Sequence, residues 1–189
     1  EWNALLSKMT VKGGTEAQKR TFYSALYHTA VAPNTISDVN GEFRRLNDEV
    51  AKKDHPVYST LSLWDTFRAW LPLSSIIYPE LLHDVVMSCI EMYDASGELP
   101  IWPLSSGETR CMVGYHSIPF IVDAYVKGLV PDLDVDHALE AMVASSHLSS
   151  GAADYERLGY IPYDDMNESV SKMLEYGYDD WCIAYFAEL

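Results

Sequence analysis

The stretch Pro79–Tyr93, "PELLHDVVMSCIEMY", decides the fold class of this chain. Its apolar residues recur at the i, i+1, i+4 and i+5 positions that form one stripe along a helix. The stripe consists of Leu81, Leu82, Val85, Val86, Cys89, Ile90 and Tyr93. Pro79 suits the first helical position, and Gly97 follows where such a helix would end. The stretch therefore predicts a long helix with one side in the core.

The same helical period recurs in other parts of the chain. The segments are Thr15–Val31, His116–Gly128, Val135–Leu148 and Asn167–Leu189. The first opens with Thr15 and Gln18 at the spacing of a capping box, and Asp134 stands where it could cap the third. The predicted core side of the last segment is Val170, Met173, Leu174, Trp181, Cys182 and Tyr185. About six long helices with little strand predict an all-α fold.

Two stretches depart from the helical period. Ile36–Leu46 holds the turn sequence Val39-Asn40-Gly41 between short β-branched runs, which predicts a β-hairpin. Gly97–Met112 is too rich in glycine, proline and serine for a helix. We expect it to be an ordered loop, because a loop of this length in a compact domain usually has a function. A succession of similar helices is typical of half of a double-layered helical ring.

The composition excludes several classes of protein. The 189-residue chain has a formal net charge of −15, which argues against binding nucleic acid or an anionic membrane surface. Its apolar runs fall well short of the roughly 18 residues that a membrane-spanning helix needs. The three cysteines, Cys89, Cys111 and Cys182, fit no zinc pattern, so we expect free and mostly buried thiols.

The sequence "WDTFR", Trp64–Arg68, places two charged residues within an apolar, helix-like run. Asp65 and Arg68 are three residues apart, so they share a helix face and could form an internal ion pair. The alternative is a polar patch with aromatic neighbours on the wall of a cavity. Buried charges must be paired or face a polar cavity, so the motif alone leaves both interpretations open.

Three further polar or aromatic residues lie in or beside the long loop. Trp102, Glu108 and His116 could line a pocket. With a purely structural role, Trp102 would anchor the loop, Glu108 would be a solvated carboxylate, and His116 would bond to a carbonyl at the start of a helix. The sequence contains no nucleotide-binding or common hydrolase motif.

Acidic residues cluster at three other places. Asp132, Asp134 and Asp136 alternate as in a calcium loop. However, His137 and Val143 stand where such a loop needs glycine and glutamate. The acids are better explained by the favourable position of negative charges at a helix N-terminus. Asp164–Asp165 and Asp179–Asp180 are adjacent acids, which cannot face each other across a glycosidic bond. For the second pair we expect one surface group and one internal hydrogen-bonding group.

Several motifs together resemble glycoside hydrolase family 92, a family of exo-acting α-mannosidases. They are "TFYSALYHTAVAPNTISDVNGEF", "YSTLSLWDTFRAWLPL", "GELPIWPLSSGETRCMVGYHSIPFIVDAYVKG", "GYIP" and "SVSKMLEYGYDDWCIA", in this order along nearly the whole chain. The resemblance implies hydrolysis of α-mannosidic bonds, often α-1,2, with inversion and with a bound calcium. It also implies that residues 1–189 are the N-terminal half of the helical-ring catalytic domain, and so a partial (α/α)6 toroid of antiparallel helices.

The resemblance gives "WDTFR" a role in binding mannose-containing glycans. By match, Trp64 and Asp65 face the sugar, while Arg68 holds the Asp65 carboxylate or reaches the pocket itself. Trp102, Glu108 and His116 are the further substrate-binding candidates. The family's "GNEP" and "GNxDxG" segments have no match in this sequence. We therefore expect the acid, the base and the calcium ligands beyond Leu189, and no catalytic or metal-binding residue in this chain.

The ends of the sequence give a further expectation. "EWNALLSKMTV" and "DDWCIAYFAEL" both read as helix without a cap or stop, which suggests a chain cut from a longer protein. Such a piece could associate with itself through its truncated face. The resemblance implies a bacterial parent that is periplasmic, outer-membrane-anchored or secreted. The alternatives to an α-mannosidase are a non-catalytic helical carbohydrate-binding or scaffold module and another helical-ring enzyme, such as a trehalase-like glucosidase.

Overall fold

The structure of the chain is a computed structural model that describes residues 2–164 and 166–189. Nine α-helices lie within these residues. They are α1 Trp2–Leu6, α2 Glu16–Thr29, α3 Leu63–Thr66, α4 Trp70–Ile77, α5 Pro79–Ser96, α6 Ser117–Val126, α7 Val135–Leu148, α8 Ala152–Leu158 and α9 Ser169–Glu188. The predicted all-α fold class is confirmed.

Six short strands form three antiparallel pairs in the same residues. The strands are β1 Asn34–Thr35, β2 Glu42–Arg44, β3 Val50–Lys52, β4 Tyr58–Ser59, β5 Pro103–Leu104 and β6 Gly107–Glu108. A hairpin is present, but its predicted position is wrong. Strand β2 pairs with β3, so the connection falls at residues 45–49 and not at Asn40-Gly41. Gly41 instead closes a turn by donating its N–H to the Asp38 carbonyl at 2.9 Å.

Helix α5 lies at the centre of the fold, as its apolar stripe predicts. It packs against α4, α6 and α7, while α9 packs against α6 and α7. The stripe residues in the main core are Leu82, Val85, Val86, Cys89 and Ile90. Leu81 and Tyr93 are half-buried against it. Burial of such side chains contributes about 1.5–3 kcal/mol each, which makes α5 the main anchor of the fold.

The predicted helix signals are present in the structure. Thr15 and Gln18 form both hydrogen bonds of the capping box at the start of α2. The Asp134 carboxylate accepts the His137 N–H at 3.2 Å and caps α7. Gly97 ends α5 in the left-handed conformation, with φ of 78°. The cysteines are free, with Cys89 and Cys182 buried and Cys111 exposed.

The predicted core side of α9 is wrong. Of the six residues predicted to face the core, Cys182 is buried and the others, Val170, Met173, Leu174, Trp181 and Tyr185, are exposed. The buried face consists of Ser169, Tyr176, Asp179, Cys182 and Phe186. Two of its polar groups have hydrogen-bonding partners on distant segments, which a hydropathy pattern does not include. Asp179 accepts from Tyr115, 64 positions away, and the Tyr176 hydroxyl donates to Ser150, 26 positions away.

The apolar run around "WDTFR" is not one helix. Helix α3 is only four residues long, and α4 begins at Trp70 after a break at residues 67–69. Trp64 and Arg68 therefore lie on either side of the end of α3, close to α6 and α9. In the described part of the chain, no helix is both long and apolar enough to cross a membrane.

Candidate functional site

Three of the predicted site residues meet at one carboxylate. Trp64 comes from α3, Arg68 from the break after it, and His116 from the N-cap position of α6. Each has a polar atom next to the side chain of Glu175 on α9. Helices α6 and α9 pack together, which brings His116 to Glu175. We call the four residues Trp64, Asp65, Arg68 and His116 the Trp64 wall.

The hydrogen bonds to Glu175 use both carboxylate oxygens. Oε1 accepts the indole N–H of Trp64 at 3.0 Å and an N–H of Arg68 at 3.0 Å. Oε2 lies 2.8 Å from Nε2 of His116. Hydrogen bonds to an ionised acceptor are roughly twice as strong as neutral ones. Glu175 therefore ties three separate segments together at the surface of the chain.

Arg68 also covers aromatic rings. Its guanidinium carbon lies 4.8 Å from the ring centre of Trp64 and 4.7 Å from that of Phe67. Both distances fall within the range of a cation–π contact. One face of the Trp64 indole is therefore occupied by Arg68, so a ligand ring can stack only on the other face or contact the edge.

The interpretation of Asp65 and Arg68 as an ion pair is wrong. Arg68 pairs with Glu175 at 3.0 Å. Asp65 is exposed, and its Oδ2 accepts the hydroxyl of Ser62 at 2.6 Å. A carboxylate that faces solvent keeps acceptor lone pairs for a bound molecule. The arrangement suits a ligand rich in hydroxyl groups.

His116 lies behind Glu175 and has no exposed side-chain surface. Its ring is 4.4 Å from the ring of Phe67, and Nδ1 lies 3.6 Å from Oδ2 of Asp179. Burial lowers the pKa of His116 to about 4, although Glu175 acts in the opposite direction. The ring is therefore neutral near pH 7, and the proton on Nε2 points at Glu175.

Asp179 is fully buried beneath the site. Its Oδ2 accepts the N–H of Tyr115 at 2.8 Å, while its Oδ1 and Nδ1 of His116 have no hydrogen-bond partner among the described residues. Burial raises the pKa of Asp179 well above its usual range, and the nearby charges of Glu175 and Asp180 act in the same direction. The Asp179 carboxyl is therefore the most readily protonated acid in this group.

Glu175 behaves in the opposite way. Partial burial raises its pKa, but the hydrogen bonds from Trp64 and His116 and the charge of Arg68 outweigh burial, and the net shift is downward. Glu175 therefore stays ionised and acts as an acceptor. The pKa values of two acids one helical turn apart on α9 thus shift in opposite directions, because Glu175 meets three donors while the more deeply buried Asp179 meets one backbone N–H.

Among the described residues, no hydrogen bond or ion pair joins Trp102 or Glu108 to the Trp64 wall. Glu108 accepts the backbone N–H groups of Ile101 at 2.9 Å, Trp102 at 3.0 Å and Arg110 at 2.6 Å. The long loop is thus organised around this carboxylate. The loop meets the segment before α3 where the Pro103 carbonyl accepts the N–H groups of Thr60 and Leu61 at 3.0 and 3.2 Å.

Sequence reasoning missed the residue that joins the Trp64 wall. Glu175 lies in "LEYGYDDW", where the adjacent acids Asp179 and Asp180 drew attention instead. The expectation for that pair is confirmed, since Asp179 is buried and the half-exposed Asp180 accepts the Tyr115 hydroxyl at 2.6 Å. The available signal was the spacing of four between Glu175 and Asp179, which puts both on one helix face.

No metal cradle is evident in the part of the chain that the structure describes. In residues 2–164 and 166–189, no group of three or more histidine, cysteine, aspartate or glutamate side chains could hold a metal ion. Asp134 caps α7 and Asp132 bonds to His83 at 2.8 Å. The Asp164–Asp165 pair includes Asp165, which lies outside the described residues. The described residues therefore do not fit the calcium that the resemblance implies, and we assign no step to it.

Solved structures similar to this chain include two bacterial mannosidases. One is the family GH92 α-mannosidase BT3965 from Bacteroides thetaiotaomicron in complex with mannoimidazole, with a TM-score of 0.91 and 38% sequence identity over 99% of this chain. The other is the family GH92 inverting mannosidase BT2199 from the same species, with a TM-score of 0.90 and 38% identity over 99% of this chain. This chain covers 25% and 27% of those chains, respectively.

A curated relative comes from the fungus Arthroderma benhamiae and is described as an uncharacterized secreted glycosidase. It is 26% identical over 203 residues, which cover 96% of this chain and 22% of the relative. This chain thus spans about a quarter of the length of the relatives that it matches. The family model described as the glycosyl hydrolase family 92 catalytic domain matches residues 1–189. This chain belongs to glycosyl hydrolase family 92.

Proposed function

We propose that the protein containing this chain hydrolyses terminal α-linked mannose from glycans, and that the Trp64 wall forms part of its sugar-binding site. The observation that carries the proposal is the exposed Asp65 carboxylate that follows, in the sequence, an indole held by Glu175 and Arg68. Support also comes from the family and from the two mannosidases that share 38% of their aligned residues with this chain.

The chemistry of the wall suits a mannose ring. Asp65 can accept hydrogen bonds from sugar hydroxyls, and the free side of the Trp64 indole can contact the C–H groups of a sugar. Arg68 is half-exposed and can reach a hydroxyl oxygen while it keeps its ion pair with Glu175. These three residues are the proposed direct contacts with the substrate.

The other candidates have different proposed roles. His116 is buried, so we expect it to act on the substrate through Glu175 and not by direct contact. Glu108 is engaged by three backbone N–H groups, so its contribution would be to shape the loop that carries Trp102. Trp102 is half-buried and stays a candidate for a sugar contact at the edge of the site.

The finer features of the activity rest on the resemblance. They are exo action, a preference for α-1,2 linkages, inversion of the anomeric configuration, dependence on calcium and a catalytic acid and base outside residues 1–189. Inversion needs two carboxyl groups about 6.5–9.5 Å apart with a water between them. We propose that residues 1–189 contribute the substrate wall to a helical ring whose remaining part supplies that pair. A periplasmic, outer-membrane-anchored or secreted location is part of the same proposal.

The full-length protein tests the activity directly. We expect it to release mannose from α-1,2-mannobiose, to lose this activity with a chelator and to regain it with calcium. Residues 1–189 alone are expected to give no turnover. Mannose binding by the full-length protein without any turnover would instead identify a carbohydrate-binding module, and an absence of both would refute the proposal.

A substitution tests the wall. Asp65→Ala is expected to lower kcat/KM on α-1,2-mannobiose by about 100-fold or more, because sites built around a substrate hydroxyl lose much when the partner is removed. The melting temperature should change little, since Asp65 is exposed. The matched control is Asp94→Ala, another exposed helical aspartate with one recorded side-chain partner, His137. Equal activity of the two variants would remove Asp65 from the site.

A further inference from the structure

We propose that Glu175 is a positioning residue that sets the orientation of Trp64 and Arg68, and that the buried pair His116 and Asp179 holds Glu175 in place. The positioning itself depends only on the contacts within this chain. Its effect on substrate turnover rests on the proposed function, in which the Trp64 wall binds mannose.

The first step concerns how many neighbouring side chains the Glu175 carboxylate holds. Its Oε1 accepts from Trp64 and Arg68, and its Oε2 faces Nε2 of His116 at 2.8 Å. An indole with a single N–H donor is fixed in rotation when that donor is bonded. The Arg68 guanidinium lies 4.8 Å from the same indole and restricts it from one face. Glu175 therefore fixes two members of the wall at once.

The second step excludes a direct role in proton transfer for Glu175. Both oxygens are engaged, and three donors keep the carboxylate ionised. An acid or base that acts on a substrate needs an oxygen free to reach the proton that moves. Glu175 thus offers three of its roughly four lone-pair sites to this chain.

The third step concerns what keeps His116 still. The His116 ring packs against Phe67 at 4.4 Å, and its side chain has no exposed surface. Gly114 lies so close that an added Cβ would stand 2.2 Å from Cε1 of His116. The backbone and Phe67 therefore leave the ring one orientation, in which Nε2 points at Glu175.

The fourth step explains the buried Asp179. It lies one turn after Glu175 on α9, and its Oδ2 is held by the Tyr115 N–H at 2.8 Å. Nδ1 of His116 is 3.6 Å from the same oxygen and has no other partner among the described residues. At 3.6 Å the two atoms are in contact but too far apart for a hydrogen bond, so Asp179 supports the ring by packing against it. Two contacts thus join α9 to the segment before α6.

A test that does not need catalysis follows the indole N–H of Trp64. In full-length protein with ¹⁵N-labelled tryptophan, Trp64→Phe assigns the signal. Glu175→Gln should move it, because the charged acceptor is lost. The matched control is Glu91→Gln, which alters another carboxylate of low exposure, paired with Arg45 and Lys53 away from the wall. It should leave the Trp64 signal in place. An unmoved signal in Glu175→Gln would overturn the proposal.

A double-mutant cycle tests the effect on the reaction. We expect Glu175→Gln to lower kcat/KM by about 10- to 100-fold, since a displacement of about 1 Å in a site can have an effect of that size. In the Trp64→Phe background the same change should lower it further by a clearly smaller factor than in the parent, because the Trp64 contact is already absent and the Arg68 contact is left to lose. Fully additive losses would overturn the proposal.

Two outcomes separate this proposal from the proposed function. If the full-length protein does not act on α-mannosides but Glu175→Gln moves the Trp64 signal, positioning stands and the function fails. If turnover occurs and the signal does not move, the function stands and positioning fails. If Glu175→Gln does not fold, Glu175→Asp takes its place. This variant keeps the charge but shortens the side chain by one methylene, so the signal of the Trp64 indole N–H should still move.

Discussion

Asp179 shows how one residue can make stability depend on pH. Burial places its folded-state pKa well above the usual value of 3.8. At a pH between these two values the unfolded chain releases the proton and the folded chain keeps it. The unfolded state then binds fewer protons, so the contribution of Asp179 to stability decreases as pH rises through this window.

Replacement by asparagine should remove this dependence. Asp179→Asn keeps an oxygen for the Tyr115 N–H and gains a donor for His116. We expect its stability relative to the parent to increase as pH rises from about 4, by up to about 1.4 kcal/mol per pH unit. Urea unfolding at several pH values measures this. The control is Asp180→Asn on the same helix, and a pH-independent difference for Asp179→Asn would contradict the assignment.

Gly114 should tolerate no side chain. It has φ of 79°, and an added Cβ would lie 2.2 Å from the His116 ring. Gly114→Ala should therefore reduce the free energy of unfolding by roughly 2–4 kcal/mol through strain and collision together. Gly159→Ala is the control, since Gly159 has φ of 77° but nothing within 4 Å. It should lose only about 1–2 kcal/mol, the backbone part. Equal losses in urea unfolding would show that the His116 ring can move aside.

The residues of the site were only partly predictable from the sequence. Trp64 and Arg68 stood out because charges within an apolar run are unusual, and the structure does place them together. Glu175 did not stand out, because its three donors lie 59, 107 and 111 positions away in the chain. The spacing of residues along the chain identifies neighbours on one helix, so it suggested Asp65 as the partner of Arg68. In the folded chain the partner of Arg68 is Glu175.

Whole elements were predicted well where apolar side chains alone decide burial. Helix α5 follows its stripe because hydrophobic contacts are sufficient to place it. Helix α9 does not, because its buried face includes Tyr176 and Asp179, whose hydrogen bonds to distant segments compensate for burial. The hairpin is misplaced for a related reason. Asn40-Gly41 does form a turn, but Glu91 on α5 pairs with Arg45 and Lys53 and holds the later strand pair instead.

The long loop provides a prediction at the level of an element. Glu108→Gln removes the charge that three backbone N–H groups share. It should reduce the free energy of unfolding by about 1–3 kcal/mol, the range for hydrogen bonds to charged groups. Hydrogen exchange should quicken at the amides of Ile101, Trp102 and Arg110.

The same exchange experiment carries its own control. The amides of Thr60 and Leu61 bond to the Pro103 carbonyl and not to Glu108. They should keep their protection if the substitution acts inside the loop. Unchanged exchange at Ile101 and Trp102 would show that Glu108 does not organise this segment.

At the scale of the whole molecule, one face of α9 is apolar and exposed. Val170 and Leu174 are each 70% exposed and Trp181 is 59% exposed, with the Trp181 ring stacked on that of Tyr185 at 5.3 Å. Cys182 and Phe186 on the same helix are buried and do not belong to this exposed stripe. Contiguous apolar surface of this kind is typical of a contact with another protein surface.

Residues 1–189 alone should therefore self-associate or be marginally stable. Covering several hundred Å² of apolar surface corresponds to about 10 kcal/mol, similar to the stability of a whole domain. Light scattering together with a thermal melt measures both properties. Leu174→Glu should reduce association, whereas Val39→Glu, at an isolated exposed valine in a turn, should not. A monodisperse monomer that melts well above 60 °C would contradict this prediction.

The bond between Trp64 and Glu175 also has a consequence for synthesis. Its two residues are 111 positions apart in the chain. Ribosomes add about 5–20 residues per second, so roughly 6–20 seconds separate the appearance of Trp64 from that of its acceptor. During that interval the indole and the Arg68 guanidinium have emerged without Glu175. The Trp64 wall is thus among the last parts of this segment to form, and a ribosome that stalls before α9 leaves a chain without it.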